Sequence, residues 1–575
     1  MSDLLGKVKL KAKQWLDSPA IDSQTKEHVQ TLLSNADPKE LIDSFYKDLE
    51  FGTGGLRGIM GAGSNCMNKY TVGVATQGLC NYLLKTYPGK IIKVALAHDS
   101  RNNSPYFTQI AADVFSSNGI EVYKFSELRP TPLLSFAIRY LQCESGVVIT
   151  ASHNPKEYNG YKAYWNDGAQ VVPPHDTNII QEVKAITSFE QVKFKGNPTN
   201  IHTIGKDVET AYYKEVEKII PNQEAIKRQH AIPIVYTSLH GAGITMVPEC
   251  LKLLGFTNVQ VVEEQKTPDG NFPTISSPNP EERSAMELVI KKGKELNATM
   301  VMATDPDTDR VGIGVRKPDG EFILLNGNQG LSLMMWFILR NIKEKKNAYI
   351  AKTIVTTELI DAMARAYGVE CFNTLTGFKY IAELMRELEG KKKFIAAGEE
   401  SYGYMAGDFV RDKDAVSACA FFAAMAASAA DEGKSLYEWL IDMYVEHAYY
   451  KEGLINLTKK GQQGEQEIKT MMEGFRNNPP RKINEIRVSR MLDYLTLIEK
   501  DFNTNKTTPL QSPASDVIQF YLEDGTKVSV RPSGTEPKIK FYISVMSKLK
   551  SKADFDAVSR LLDEKIKSIE QYLLT

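Results

Sequence analysis

"GVVITASHNPKEYNGYK" (residues 146–162) decides how the chain is read. An unbroken apolar run, "GVVITA", passes directly into a serine, a histidine, an asparagine and a lysine. A strand with one wet face alternates apolar and polar side chains, whereas a strand covered on both faces is apolar throughout. The run therefore predicts a buried strand of a parallel sheet. Ser152 stands at its carboxyl end, where open α/β sheets place their ligands.

The same plan, apolar run and then polar loop, recurs along the chain. It is seen in "KIIKVALAHDSRNNS" (90–104), "AIPIVYTSLHGAG" (231–243), "NATMVMATDPDTDR" (297–310), "NAYIAKTIVTT" (347–357) and "KKFIAAGEESYGY" (392–404). Residues 1–50 predict helices interrupted at Pro19 and Pro38, and "FGTGGLRGIMGAG" (51–63) predicts a glycine-dense loop. The polar "GNPTNIHTIG" (196–205) suggests a boundary. The end of the chain differs. "IKFYISV" (539–545) alternates, with Ile539, Phe541, Ile543 and Val545 on one face, and "TKVSV" before it predicts its antiparallel partner. Phe555, Val558, Leu562, Ile566, Ile569 and Leu573 recur at helical spacing. Residues 451–515, rich in Lys, Gln, Asn and Pro, predict a linker and the start of this last unit.

Bulk properties narrow the function. A chain of 575 residues has room for about four domains. Lys+Arg 70 against Asp+Glu 71 leaves a net charge of −1, which supports neither a nucleic-acid nor an anionic-membrane partner. Six scattered cysteines without zinc spacing fit a reduced, cytoplasmic setting, and the N-terminus lacks a signal-peptide core. "ACAFFAAMAASAA" (418–430) is too short for a membrane span and predicts a buried helix.

Four segments carry chemistry. In "DPDTDR", Asp305, Asp307 and Asp309 recur at every second residue, which in an extended segment puts three carboxylates on one side. Such a cluster calls for a hard cation such as Mg²⁺. An EF-hand loop is excluded, because Arg310 stands where glycine is needed and Arg316 where glutamate is needed. The arginine inside the cluster points to a phosphate nearby. Ser152 lacks a G-x-S-x-G elbow, which argues against an esterase; as a phosphoserine it would sit well against such a cation. In "RPSGTEPKIK" (531–540), Arg531, Ser533, Gly534, Thr535 and Lys540 have the composition of an anion trap. "GEESYGY" (398–404) supplies Glu399 and Ser401, a carboxylate and a hydroxyl suited to adjacent sugar hydroxyls. "FGTGGLRG" fails the dinucleotide fingerprint at Arg57, and no P-loop motif is present. Of eight histidines only His153 lies inside a chemical motif.

With "FGTGGLRG", "TASHNP", "DPDTDR", "GEES" and "RPSGTEPK" in this order over residues 51–540, the chain resembles the α-D-phosphohexomutase family. "YTSLHGAG", "TPDGNFP" and "SPNPEE" look like its phosphoglucomutase branch, which includes phosphopentomutase-like proteins. The resemblance implies an α/β fold of four domains around a central cleft: three similar α/β domains with mixed or parallel sheets and a smaller C-terminal α+β domain. The expected boundaries are 1–204, bearing the phosphoserine; 205–325, binding the metal; 326–450, binding the sugar; and 451–575, linker and phosphate-binding domain. It further implies that Ser152 carries the phosphoryl group and, with Asp305, Asp307 and Asp309, binds Mg²⁺. Arg57 and Arg310 would contact that group, and His153 and Lys162 would flank the serine. Thr376, Gly377, Glu399 and Ser401 would read the sugar, and the 531–540 loop would hold the nonreacting phosphate. Lys413 of "VRDKDA" matches a family "REKDG" proton-transfer lysine, with alanine in place of the glycine. The implied reaction interconverts glucose 1-phosphate and glucose 6-phosphate through glucose 1,6-bisphosphate, which also serves as primer. Mannose or pentose phosphate specificity, a phosphoserine-based sugar phosphatase and a noncatalytic sugar-phosphate sensor are the alternatives.

Overall fold

The computed structural model describes residues 2–52, 54–459, 461–533 and 538–574. The chain forms two compact units. The first comprises Met1–Leu324 with Met385–Glu387 and Gly403–Asp431; the second comprises Leu325–Leu384, Leu388–Tyr402 and Glu432–Thr575.

The first unit opens with helices Ser2–Asp17, Ser23–Ser34 and Lys39–Phe45, interrupted near Pro19 and Pro38 as expected. Their apolar faces bury Val8, Ala12, Trp15, Val29, Leu32 and Phe45 against Tyr70. A six-stranded sheet follows, in the order Gly55–Ile59, Tyr158–Trp165, Ser145–Ile149, Lys93–His98, Glu121–Phe125, Ile201–Ile204. Its last four strands run parallel. Ser145–Ile149 is buried at every position, as its unbroken apolar run requires. Tyr158–Trp165 and Gly55–Ile59 turn the sheet mixed by adding antiparallel strands. A second sheet sets Val311–Arg316, Met300–Thr304, Ile234–Thr237 and Val259–Val261 side by side. The 418–430 run lies in the helix Ala415–Asp431, whose residues 415–429 are all buried.

One expectation changes here. The glycine-dense stretch 51–63 is not all loop: Gly55–Ile59 is a strand paired with Tyr158–Trp165. Glycine disguises it, and the pairing needs it, because a Cβ on Gly55 would fall 1.7 Å from the Tyr161 carbonyl oxygen. The polar stretch at 196–205 contains the strand Ile201–Ile204, which completes the first sheet beside Glu121–Phe125.

In the second unit, Ala348–Thr353 lies between Glu370–Thr374 and Lys393–Glu399, all parallel. The C-terminal sheet is antiparallel, in the order Tyr449–Thr458, Lys538–Ser547, Lys527–Pro532, Ile518–Leu522, Ile486–Asp493, Ile498–Asp501, Thr507–Pro509. Ile539, Phe541, Ile543 and Val545 are buried, as the alternation predicts. Leu562, Ile566 and Ile569 form the inner stripe of Phe555–Leu574. Residues 451–515 are more structured than their composition suggests. They hold most of an edge strand, the helix Gly461–Asn477 and further strands. Phe475 of that helix packs on Phe520 and Phe541. Among the described residues no single helix is long and apolar enough to cross a membrane.

A buried ionic knot joins the parallel strands of this unit to its antiparallel sheet. Lys352 lies 2.9 Å from Asp361 and 3.4 Å from Glu358. Lys527 pairs with Glu358 and donates to the carbonyls of Ile354 (3.0 Å) and Thr356 (3.3 Å). Glu452 sits close by with its Oε1 buried and lacking a hydrogen-bond partner. Burial pushes its carboxyl up to about 7, against hydrogen bonds from Thr357 and Ser544 and the charges of Lys527 and Lys352. The folded protein thus keeps a proton that the unfolded chain releases near 4.5. This group's contribution to stability falls as pH rises through that window. Glu452→Gln should therefore gain unfolding temperature relative to the parent as pH is raised from about 5 to about 8, a difference that calorimetry at several pH values would read.

Candidate active site

The aspartate triplet lies in a tight turn, not an extended segment, between antiparallel strands Met300–Thr304 and Val311–Arg316. The Thr308 amide donates to the Asp305 carbonyl (3.0 Å), with Thr308 at φ 58°. Asp305 Oδ1 accepts the amides of Asp309 (3.1 Å) and Arg310 (3.0 Å). Carboxylate oxygens of Asp305, Asp307 and Asp309 lie within 4.8 Å of one another, and all three residues are buried. Neighbouring segments brace the turn. The Thr131 amide donates to the Asp307 carbonyl (2.9 Å) and its hydroxyl to Oδ2 (3.2 Å), while the Ala242 amide of "LHGAG" reaches the Pro306 carbonyl (2.8 Å).

Two lysines face the cluster. Lys162 Nζ is 2.7 Å from Asp307 and 3.5 Å from Asp309. Lys413 Nζ is 3.2 Å from Asp309 and 3.0 Å from Asp412, which also accepts from Tyr164 (2.7 Å) and Gln170 (3.0 Å). The electrostatics split the carboxylates. Burial, then Asp307 and Asp309, push Asp305 well above the usual range. Burial pushes Asp309 up too, but Lys413, Lys162 and Arg310 outweigh it and hold that carboxyl below the usual range. Oδ1 of Asp307 and Oδ1 of Asp309 are buried without a hydrogen-bond partner. Unpaired buried oxygens beside an already crowded set of charges fit a hard divalent cation.

Ser152 meets this cluster: its Oγ donates to Asp305 Oδ2 at 3.1 Å and lies 3.2 Å from His153 Nδ1. Ser152 has φ 53°, the left-handed region that L side chains seldom occupy. Burial and then Arg310 lower His153 to about 3, so its imidazole is neutral at pH 7. Arg57 donates to Asn154 Oδ1 (3.2 Å), and Arg310 pairs with Glu281. The register Arg57↔Gly160 and Gly55↔Lys162 sets Arg57 and Lys162 diagonally on one face. The first unit thus gathers Arg57, Ser152, His153, Lys162, the three aspartates, Arg310 and Lys413. Sequence reasoning missed Asp99, Arg101, Thr131 and Glu281; Asp99 and Arg101 lay in the quoted run "KIIKVALAHDSRNNS" and Glu281 in "SPNPEE", but none was given a role.

The second unit holds the remaining candidates. Glu399, 6% exposed, accepts the Gly377 amide (2.9 Å), and Gly377 has φ 118°. Glu400, also missed, accepts from Thr353 and Thr356 (3.1 Å each) and anchors the loop that carries Ser401. Thr376 Oγ1 is buried without a hydrogen-bond partner. Arg531 pairs in register with Lys540, and the Ser533 amide donates to the Lys538 carbonyl (2.7 Å). Tyr542 hydrogen-bonds Arg531; burial, and then Glu400, push its phenol up to about 12. Gly534 and Thr535 lie outside the described residues.

Family models described as phosphoglucomutase/phosphomannomutase alpha/beta/alpha domains I, II and III match residues 48–190, 210–320 and 326–447. Phosphoglucomutase of Staphylococcus haemolyticus (strain JCSC1435) is 36% identical over 501 residues, 87% of this chain and 91% of that protein. Phosphoglucomutase of Staphylococcus aureus (strain MRSA252) is 35% identical over 533 residues, 92% and 94% of the two chains. In fold, the chain is similar to the pp63/parafusin phosphoprotein of Paramecium (TM-score 0.70, 18% identity, covering 92% and 96%). It is also similar to a phosphoglucomutase/phosphomannomutase family protein of Burkholderia thailandensis (TM-score 0.63, 19% identity, covering 91% and 97%).

Relief of repulsion in the triplet gives a test. Millimolar Mg²⁺ should raise the unfolding temperature of the parent chain, and Asp307→Asn combined with Asp309→Asn should abolish that rise. A shift of equal size in both proteins, read by differential scanning fluorimetry, would place the ion elsewhere.

Proposed function

The chain belongs to the phosphoglucomutase/phosphomannomutase family, and on that premise we propose that it interconverts glucose 1-phosphate and glucose 6-phosphate through a phosphoserine at residue 152. The observation that carries this reading is the 3.1 Å contact of Ser152 Oγ with Asp305, inside the carboxylate triplet. A serine hydroxyl with no strong base beside it is a poor nucleophile, but as a phosphate ester next to a cation site it becomes a donor.

Each first-unit residue then has a task. The Ser152 Oγ–P bond breaks as a bond forms between phosphorus and the free sugar hydroxyl. The hydroxyl proton passes to a general base; Lys413, beside Asp309 and Asp412, is a proton-transfer candidate by resemblance. Asp305, Asp307, Asp309 and the phosphoserine would hold Mg²⁺, which when bound would supply charge neutralisation for the transferring group. Arg57 and Arg310 orient its oxygens, with Arg310 fixed in turn by Glu281. Lys162 pairs with Asp307 and, with Lys413, keeps Asp309 ionised, and neutral His153 leaves room for negative charge beside the serine without competing as an acid.

In the second unit, Glu399, Ser401, Thr376 and Gly377 read the sugar hydroxyls. Arg531, Ser533 and Lys540, with Gly534 and Thr535 of the same loop, hold the phosphate that is not moving. The intermediate is glucose 1,6-bisphosphate. It rebinds reversed and returns its other phosphoryl group to Ser152, so the enzyme ends each cycle phosphorylated. Free glucose 1,6-bisphosphate serves as primer for any dephosphorylated protein.

Purified protein should be assayed with glucose, mannose and ribose 1-phosphates, each with Mg²⁺ and a trace of bisphosphate. Glucose 1-phosphate should give the highest kcat/KM. Ser152→Ala should lose activity by at least ~10³-fold, and full chelation should silence the parent enzyme. Phosphate release keeping pace with sugar turnover would identify a phosphatase instead, and a higher kcat/KM for mannose or ribose 1-phosphate would reassign the substrate.

A further inference from the structure

Arg101 takes no part in the steps above, yet its side chain is wholly buried, 0% exposed, behind the serine loop. Its Nη2 donates to the carbonyl oxygens of Ser152 (2.7 Å) and Asn154. Its Nη1 donates to those of Pro155 (2.8 Å) and Tyr158 (3.1 Å). One guanidinium thus spans four main-chain oxygens of residues 152–158. Its Nε lies 3.3 Å from Asp99 Oδ2, and Asp99 is also 0% exposed.

Asp99 holds the other end of the same residue. Its Oδ2 accepts the Thr150 hydroxyl (2.6 Å), and Thr150 Oγ1 accepts the Ser152 amide (2.9 Å). Its Oδ1 fixes the Arg101 amide (2.9 Å) and the Ser104 hydroxyl (2.7 Å). The N–H and the C=O of Ser152 are therefore both tied to one buried ion pair. Without such ties a serine would leave its φ of 53° for a commoner conformation.

"TPDGNFP", a motif with no task so far, covers this pair. The Phe272 ring lies 5.2 Å from the Arg101 guanidinium, and Asn102 donates to Asn271 (3.0 Å). A Cβ on Gly270 would fall 2.2 Å from the Asn102 amide nitrogen, so only glycine permits this approach. Chain 267–273 shields the guanidinium from water, which strengthens its hydrogen bonds.

We propose that Arg101 and Asp99, sheltered by Phe272, are positioning residues that hold Ser152 Oγ in line for phosphoryl transfer. The inference rests on the phosphoserine reading above for its catalytic meaning, but the clamp itself does not need that reading.

Arg101→Lys keeps the charge opposite Asp99, but a compact ammonium cannot bridge four carbonyls. Its kcat with glucose 1-phosphate should fall about 10- to 100-fold with KM within about twofold, because misplacement of the reacting atom acts on the chemical step. Hydrogen exchange at amides 152–158 should quicken, with the strand Lys93–His98 as protected as in the parent. Phe272→Leu, which leaves every Arg101 hydrogen bond in place, should give a smaller change in the same direction. A folded Arg101→Lys protein with parental kcat, or with unchanged exchange at 152–158, overturns the proposal. Should Arg101→Lys not fold, parental kcat and exchange in Phe272→Leu overturn it. If the parent turns over no sugar phosphate, the functional reading fails, and exchange alone judges the clamp.

Discussion

Mutual repulsion among three carboxylates confined to one turn is the constraint around which the first unit is built. Two unit charges 4 Å apart at an effective dielectric of 20 repel by about 4 kcal/mol, so a buried trio cannot persist without compensation. The compensation comes from distant parts of the chain. Lys162 arrives on an antiparallel strand added to a parallel sheet, and Lys413 from the turn just before a buried helix. Backbone amides of Asp309 and Arg310 close on Asp305 from within the turn. Even so, Oδ1 of Asp307 and Oδ1 of Asp309 have no hydrogen-bond partner, an arrangement that fits a cation.

The strands and their ligand-bearing ends were legible because burial on both faces leaves an unbroken apolar run, as at Ser145–Ile149. The triplet was legible too, but for a different reason than its spacing suggested. A strand would present the aspartates by alternation; here a turn with Thr308 in the left-handed region folds them together. Alternating spacing and a tight turn both juxtapose such side chains, so the clustering was read correctly through the wrong geometry.

Supporting residues were harder to see. Arg101 acts on main-chain oxygens, which leave no side-chain pattern to match, and Asp99 and Thr131 bond a mixture of main-chain and side-chain groups. Glycine hid the strand Gly55–Ile59, because close approach to a neighbouring strand removed the side chains by which strands are recognised. Residues 451–515 misled for a related reason. Tyr449–Thr458 has few fully buried positions, and an edge strand with wet positions has the composition of a linker. In "GEES" the sequence pointed to Glu399 and Ser401, while the anchor, Glu400, stood between them.

Since every hydrogen bond of the Arg101 guanidinium to the serine turn ends on a carbonyl oxygen, the shape of that turn is written in main chain and is blind to most of the side chains it displays. Positions 153, 156 and 157 are thereby released from any duty to hold the turn. Evolution, or an engineer, can exchange what stands beside Ser152 while the frame beneath stays fixed.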